Sequence, residues 1–397
     1  MSQLAMSTSE SSHGSRQLHP PAISAPTPMF TPIHTFAGGL LLHISSASLL
    51  DNTGRVFGGS SILYEAIYGD HAVWRWALLG GMIVAPKLNA VIQPIAALLR
   101  VHLPSSVVEP VAEVDWPLGK LILAGALVGF GSKLGSGCTS GHFLCGVSRL
   151  SPRSLVATMS FFSIAVLTAL ISARTPAPNL SVKTVPSYTP LYPTTSIEWL
   201  TVLTLPLIHF SAHALLSSRL RPSKLKSRLI ALLAGMTFAT GLQLSGMSNP
   251  IKVLRFLHLP IPGVFDAAEW DPSLLMVVLG GIVPNAIHYR FKVRPVLEAQ
   301  EEKKKTDAAV VGQDEAQGTV TSTIKYYLPN KLQSSRIDAR LVVGAAIFGL
   351  GWGMTGTCLL PSVVNAGNAL FRLADRPGSA LAFMGAVIAG LGVGGLV

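Results

Sequence analysis

GFGSKLGSGC at residues 129–138 and GLGWGMTGTC at residues 349–358 align without a gap, pairing Gly129 with Gly349, Gly131 with Gly351 and Cys138 with Cys358. Two looser pairs precede them in the same order: GGSSI (Gly58 to Ile62) against QLSGM (Gln243 to Met247), and LGGM (Leu79 to Met82) against LGGI (Leu279 to Ile282). Landmarks that recur in one order describe a duplicated unit. Glycine interruptions of apolar segments are where transporter helices break, and here both of the strongest interruptions carry a cysteine.

Working outward, apolar runs lie at Thr35 to Leu50, Val73 to Leu99, Leu118 to Leu134, Leu155 to Ala173, Trp199 to Leu216, Leu229 to Met247, Ser273 to Tyr289, Leu341 to Met354 and Ala380 to Val397. With flanking residues each suits a membrane span. Composition agrees: 49% of residues are apolar, only 12% are charged, and the mean hydropathy is +0.49. That charge content is about half the share usual in soluble domains, which excludes an ordinary cytosolic enzyme. The net charge of +11 sits in short segments between apolar runs, so it reads as membrane topology and not as nucleic acid binding. Three cysteines are too few for a disulfide framework. The expected fold is therefore all-α: a polytopic membrane protein of about nine transmembrane helices in two inverted repeats, with short broken or re-entrant helices.

Arg219, Arg221, Lys224, Lys226 and Arg228 fall within one acid-free decapeptide, which predicts a cytoplasmic loop. Two spans later the polar stretch at 291–339 returns to the same side as a flexible cytoplasmic linker. Residues 1–32, rich in Ser, Pro and Thr, read as a disordered tail. The first repeat half is then 33–173, an outer loop and linking helix take 174–218, and the second half is 219–290 with 340–397. A single connecting span inverts the second half relative to the first.

GSGCTSGHFLCG (Gly135 to Gly146) breaks an apolar helix with four glycines, after which Thr139 or Ser140 could cap a short helix starting near Gly141. Free amides at such a helix start attract an anion without a buried charge. Lys133, five residues before Cys138, is an ionisable group deep in a span, either offsetting a substrate charge or snorkelling to the interface. A thiol is a weak donor and a polarisable acceptor, suited to a sulphur-bearing ligand. Cys138 and Cys358 are repeat-related, whereas Cys145 has no cysteine partner. Cys138, His142 and Cys145 share helical spacing that, with Cys358, resembles a zinc set, but a closed metal site would block a path. No metal and no cofactor are expected, and His142 reads as a polar wall residue. SGMSNPIKV (Ser245 to Val253) forms a third constellation. In it Pro250 marks the end of the preceding helix, and Ser245, Asn249 and Lys252 would line an outer vestibule for an anion.

Together, GCTSGH (Gly137 to His142) with CG and SRLSPRS (Ser148 to Ser154), SGMSNP with KV and FL (Ser245 to Leu257), and GLGWGMTGTC resemble the YeeE/YedE family of sulphur transport membrane proteins. The resemblance spans about residues 35–397 apart from the linker. It implies uptake of thiosulfate or a related small sulphur-containing anion, handed along Cys138 and Cys358, with Cys145 next and Trp352 inside the last motif. After Cys358 the family usually continues with Pro and Gly, whereas this chain has Leu359 and Leu360; and Ser60 with Ser61 stands where a Ser-Gly pair is expected. The implied partners are the thiosulfate-like anion, the lipid bilayer and a cytoplasmic sulphur-accepting protein. The expected location is the plasma membrane, with an organelle membrane as the alternative. The rival reading is a membrane-integral sulphurtransferase in which Cys138 forms a persulfide, activated by His142 or Lys133.

Overall fold

The computed structural model describes residues 30–98, 116–173, 186–262, 267–300, 302, 326, 337–371 and 377–397. The described residues are helical apart from turns, connecting segments and one isolated bridge between Phe30 and Pro190. In order come α1 (Pro32–Thr53), the short α2 (Gly59–Ile67), α3 (Val73–Leu98), α4 (Leu118–Leu134), the short α5 (Ser140–Gly146) and α6 (Pro152–Ala173). After α7 (Ser196–Arg219) the pattern of long, short and long repeats: α8 (Lys224–Leu244), α9 (Pro250–Leu257), α10 (Ser273–Gln300), α11 (Ala339–Thr355), α12 (Leu359–Leu370) and α13 (Pro377–Gly394).

Local sequence explains the boundaries. Side-chain oxygens of Thr195, Ser223, Asn249 and Asp338 accept from backbone N–H groups in the first turns of α7, α8, α9 and α11, the usual answer to orphan donors at a helix start. Gly356 ends α11 at φ 69, its N–H donating to the Trp352 carbonyl, in a left-handed conformation that glycine adopts without a Cβ penalty.

Packing between the halves is reciprocal. Helix α4 lies on α13 as α11 lies on α6; α3 lies on α8 as α10 lies on α1; and α4 meets α11 directly. At this last contact a Cβ on Gly131 would stand 2.7 Å from the Gly344 carbonyl oxygen, and one on Gly351 would stand 2.6 Å from that of Ala124. Ala124 and Gly344 are separated by the same 220 residues as Gly131 and Gly351, so one close backbone approach is made twice. Only glycine permits it, because small residues let membrane helices approach without side chains between them.

Two expectations change, and the expected nine spans are met in part. Each of the nine apolar runs falls on a helix, but by length and apolarity five helices can cross a membrane among the described residues: α1, α6, α7, α8 and α10. The bent pair α11 and α12, at 42°, makes a sixth. The shortfall follows partly from the breaks, since α4 and α11 each run only 17 residues before the chain turns. Pro250 opens α9 at its first turn and does not end the preceding helix, which stops at Leu244; its missing N–H costs nothing there. Residues 291–300 continue α10 and are not linker. The rest of the expected linker, except 302, 326, 337, 338 and Ala339 at the start of α11, lies outside the described residues, as do 1–29 of the tail.

Candidate functional site

The two glycine-rich interruptions converge. The Thr139 hydroxyl lies 3.0 Å from the Cys358 thiol, and the Cys138 thiol lies 3.2 Å from the Ser140 hydroxyl. Ser140 in turn accepts from the backbone N–H of Gly59 at the head of α2, at 3.0 Å. Two residues earlier, the Phe57 carbonyl accepts from the Cys145 thiol at 3.5 Å. The hydroxyls of Thr139 and Ser140 are thus occupied with the cysteines and α2, and neither caps α5 with its side chain, contrary to the sequence expectation. A Cβ on Gly141 would meet Gly58 Cα at 4.0 Å, an ordinary van der Waals contact.

All three cysteines are free, at 1% exposure for Cys138, 8% for Cys145 and 6% for Cys358. Two small cavities, each about 30 Å³, flank them. One is lined by Cys358, Thr139, Phe143, Phe162, Met247 and Trp352, among others; the other by Cys145, Phe57, Ser46, Arg149, Asn285 and His288, among others. Neither holds more than about one or two waters, so the two cavities are closed to anything larger in this conformation. Trp352 is locked between Phe348 and the edges of Phe161 and Phe162, giving the first cavity an aromatic side.

His142 is fully committed. Its Nε2 is 3.1 Å from the Gly135 carbonyl and its Nδ1 is 3.2 Å from the Ser154 hydroxyl. A carbonyl only accepts, so Nε2 carries the proton and the neutral ring accepts from Ser154 through Nδ1. Neither nitrogen is left to ligate a metal or to deprotonate Cys138. Among the described residues, no three His, Cys, Asp or Glu side chains are placed to hold a metal ion. Lys133 is not brought to the thiols: its ammonium sits 3.1 Å over the Tyr64 ring at the end of α4, the snorkelling alternative.

The third constellation carries a polar cluster where α8 gives way to the start of α9, and its Met247 and Val253 line the Cys358 cavity. Lys252, 5% exposed, donates to the hydroxyls of Thr31 at 2.6 Å and Thr35 at 3.3 Å. Asn249 caps α9, and the Ser245 hydroxyl donates to the Leu242 carbonyl. Asp271, which sequence reading missed, lies buried beside Ser273. Burial pushes its carboxyl above the usual range, while Lys252, hydrogen bonds from Ser273 and Arg255 pull it back. At the opposite end, Asp51 pairs with His288 at 3.0 Å and Lys292 at 2.6 Å. These partners escaped sequence reading because they come from helices remote in the chain.

Comparison with known proteins places the chain. A protein-family model described as a family of unknown function (DUF6691) matches residues 227–300 and 307–397. A probable transporter of Xylella fastidiosa strain Temecula1 is 35% identical over 165 residues, 41% of this chain and 84% of that protein. This chain belongs to the same family. A second probable transporter of that strain is 37% identical over 132 residues, 33% of this chain and 88% of that protein. The family therefore includes proteins whose nearly full lengths correspond to less than half of this chain.

Proposed function

We propose that this protein is a membrane transporter that passes a small sulphur-containing anion of the thiosulfate type along Cys358, Cys138 and Cys145. The observation that carries the reading is the position of the thiols: Cys358 on one cavity, Cys145 on the other, and Cys138 linked to both through Thr139, Ser140 and α2. Thiols offer a sulphur ligand polarisable but weak contacts, so it is held briefly at each point and released. The names of the two relatives support transport; the thiosulfate class rests on the sequence motifs and on this sulphur chemistry.

In this reading the nine apolar helices span the membrane, the two halves are inverted about an axis in its plane, and α2, α5, α9 and α12 are half-helices meeting near the middle. Reciprocal packing supports the symmetry. The basic loop at 219–228 faces the cytoplasm, where a sulphur-accepting protein would receive the anion, and the membrane is that of the cell. A sulphurtransferase needs a base or cation at Cys138, and the partners of His142 and Lys133 weigh against one. Uptake of radiolabelled thiosulfate by proteoliposomes containing only this protein tests the reading: saturable uptake is expected, and none above protein-free liposomes would overturn it.

A further inference from the structure

We infer that Ser248, Asn365 and Asn368 form an oxyanion-binding station on the same path, in the place where the other half carries Cys145. The inference rests on the transport reading above and adds a second kind of contact to it. The offset that relates Cys138 to Cys358 also relates Cys145 to Asn365, and the two residues make the same bond. Cys145 donates to the carbonyl of Phe57, two residues before α2 begins at Gly59. Asn365 donates through Nδ2, at 3.2 Å, to the carbonyl of Ser248, two residues before α9 begins at Pro250. Counted from the starts of α2 and α9, which correct the looser sequence pairing of GGSSI with QLSGM because the latter falls at the end of α8, the same backbone position is held by a thiol in one half and by a carboxamide in the other.

The second station is incompletely bonded. The Ser248 hydroxyl, the Asn365 Oδ1 and the Asn368 Nδ2 are buried with no hydrogen-bond partner, and Ser248 and Asn368 are 2% and 4% exposed. Buried polar groups are nearly always bonded, so the Ser248 hydroxyl and, one turn along α12 from Asn365, the Asn368 amide call for acceptors that the chain does not supply. Met247, beside Ser248, and Pro361, one turn before Asn365, both line the cavity that holds Cys358. The Ser248 hydroxyl, the Asn368 amide and the second N–H of Asn365 Nδ2 are neutral donors, which suit the oxygens of an anion without adding a charge that would trap it, whereas the Asn365 Oδ1 only accepts and is left for a water. A thiosulfate-like anion has two chemically distinct ends; the thiols meet its sulphur, and this station meets its oxygens. An oxyanion without the terminal sulphur, such as sulfate, would compete here without being carried on.

The test uses full-length protein in proteoliposomes, with thiosulfate as the transported probe and sulfate as competitor. Asn365→Leu and Ser248→Ala should each raise the thiosulfate KM about tenfold and remove inhibition by sulfate. Asn365→Asp, nearly isosteric, should block uptake by placing a like charge at the station while keeping the thermal midpoint of the parent. Asn365→Cys should transport thiosulfate but lose inhibition by sulfate. Parental KM and parental sulfate inhibition in these variants at equal expression would overturn the inference, with water satisfying the three atoms. If the parent takes up no thiosulfate, the transport reading fails by itself. Calorimetric titration of parent and Asn365→Leu with sulfate then decides the station, and equal binding or no binding to both would overturn it.

Discussion

Cys138 and Cys358 hold equivalent places in the repeat but have different neighbours, a Ser140 hydroxyl for one and a Thr139 hydroxyl for the other. If both contact the passing sulphur, Cys138→Ser and Cys358→Ser should each lower the initial rate of thiosulfate uptake at least about tenfold, because a hydroxyl is a harder and poorer partner for sulphur. The double variant should cost less in free energy than the two singles together, since both serve one path. Cys145→Ser should be milder. Lys133→Met is the useful control: its ammonium lies over Tyr64, so uptake should stay within about twofold of the parent. Rates unchanged in both serine variants would make the thiols core filler. The cysteines were legible because their spacing recurs; the cavity walls were not. Phe143, Phe162 and Met247 reach one cavity from different elements, and nothing in their local sequence separates them from ordinary core residues.

At the scale of helices, the contact between α4 and α11 depends on having no side chain at Gly131 and Gly351. A Cβ there would collide with the Phe348 backbone nitrogen in one case and lie 2.6 Å from the Ala124 oxygen in the other. Gly131→Val and Gly351→Val should each destabilise the protein by about 1–3 kcal/mol or more, seen as a lowered thermal midpoint in detergent. The double variant should be less than additive, because the first substitution already separates the helices. Gly80, with no atom within 4 Å of a built Cβ, should accept alanine with little change. Long apolar helices were readable from hydropathy alone, as were the breaks at 135–141 and 356–358. The direction of the short helices was not, since Pro250 reads equally as a stop for one helix or the first turn of another, and only the Asn249 side-chain oxygen accepting from the following amides decides it.

Across the molecule, the charged contacts separate into two ends. Asp51, His288, Lys292, Arg153 and Asp338 pair at one, and His34, Glu198, His258 and Glu269 at the other. Single cysteines at exposed positions, Arg221→Cys and Tyr192→Cys, in a background lacking the native three, should therefore react with an impermeant reagent from opposite sides. Ser187 would be a poor probe, being buried and bonded to Arg255. Same-side labelling would remove the inverted arrangement. The repeat was legible in the sequence as motif order, but its reciprocal packing was not, because that is a property of pairs of helices. Between the halves runs α7, whose Leu200, Leu203, Leu207, Ile208 and Phe210 are exposed and which, among the described residues, packs chiefly at the margin, on α1 and α8. What holds the halves together is therefore their shared interior and not the covalent thread. A chain cut between α7 and α8, its two pieces made from separate messages in one cell, should reassemble and co-purify, while either piece made alone should be degraded for want of its mate.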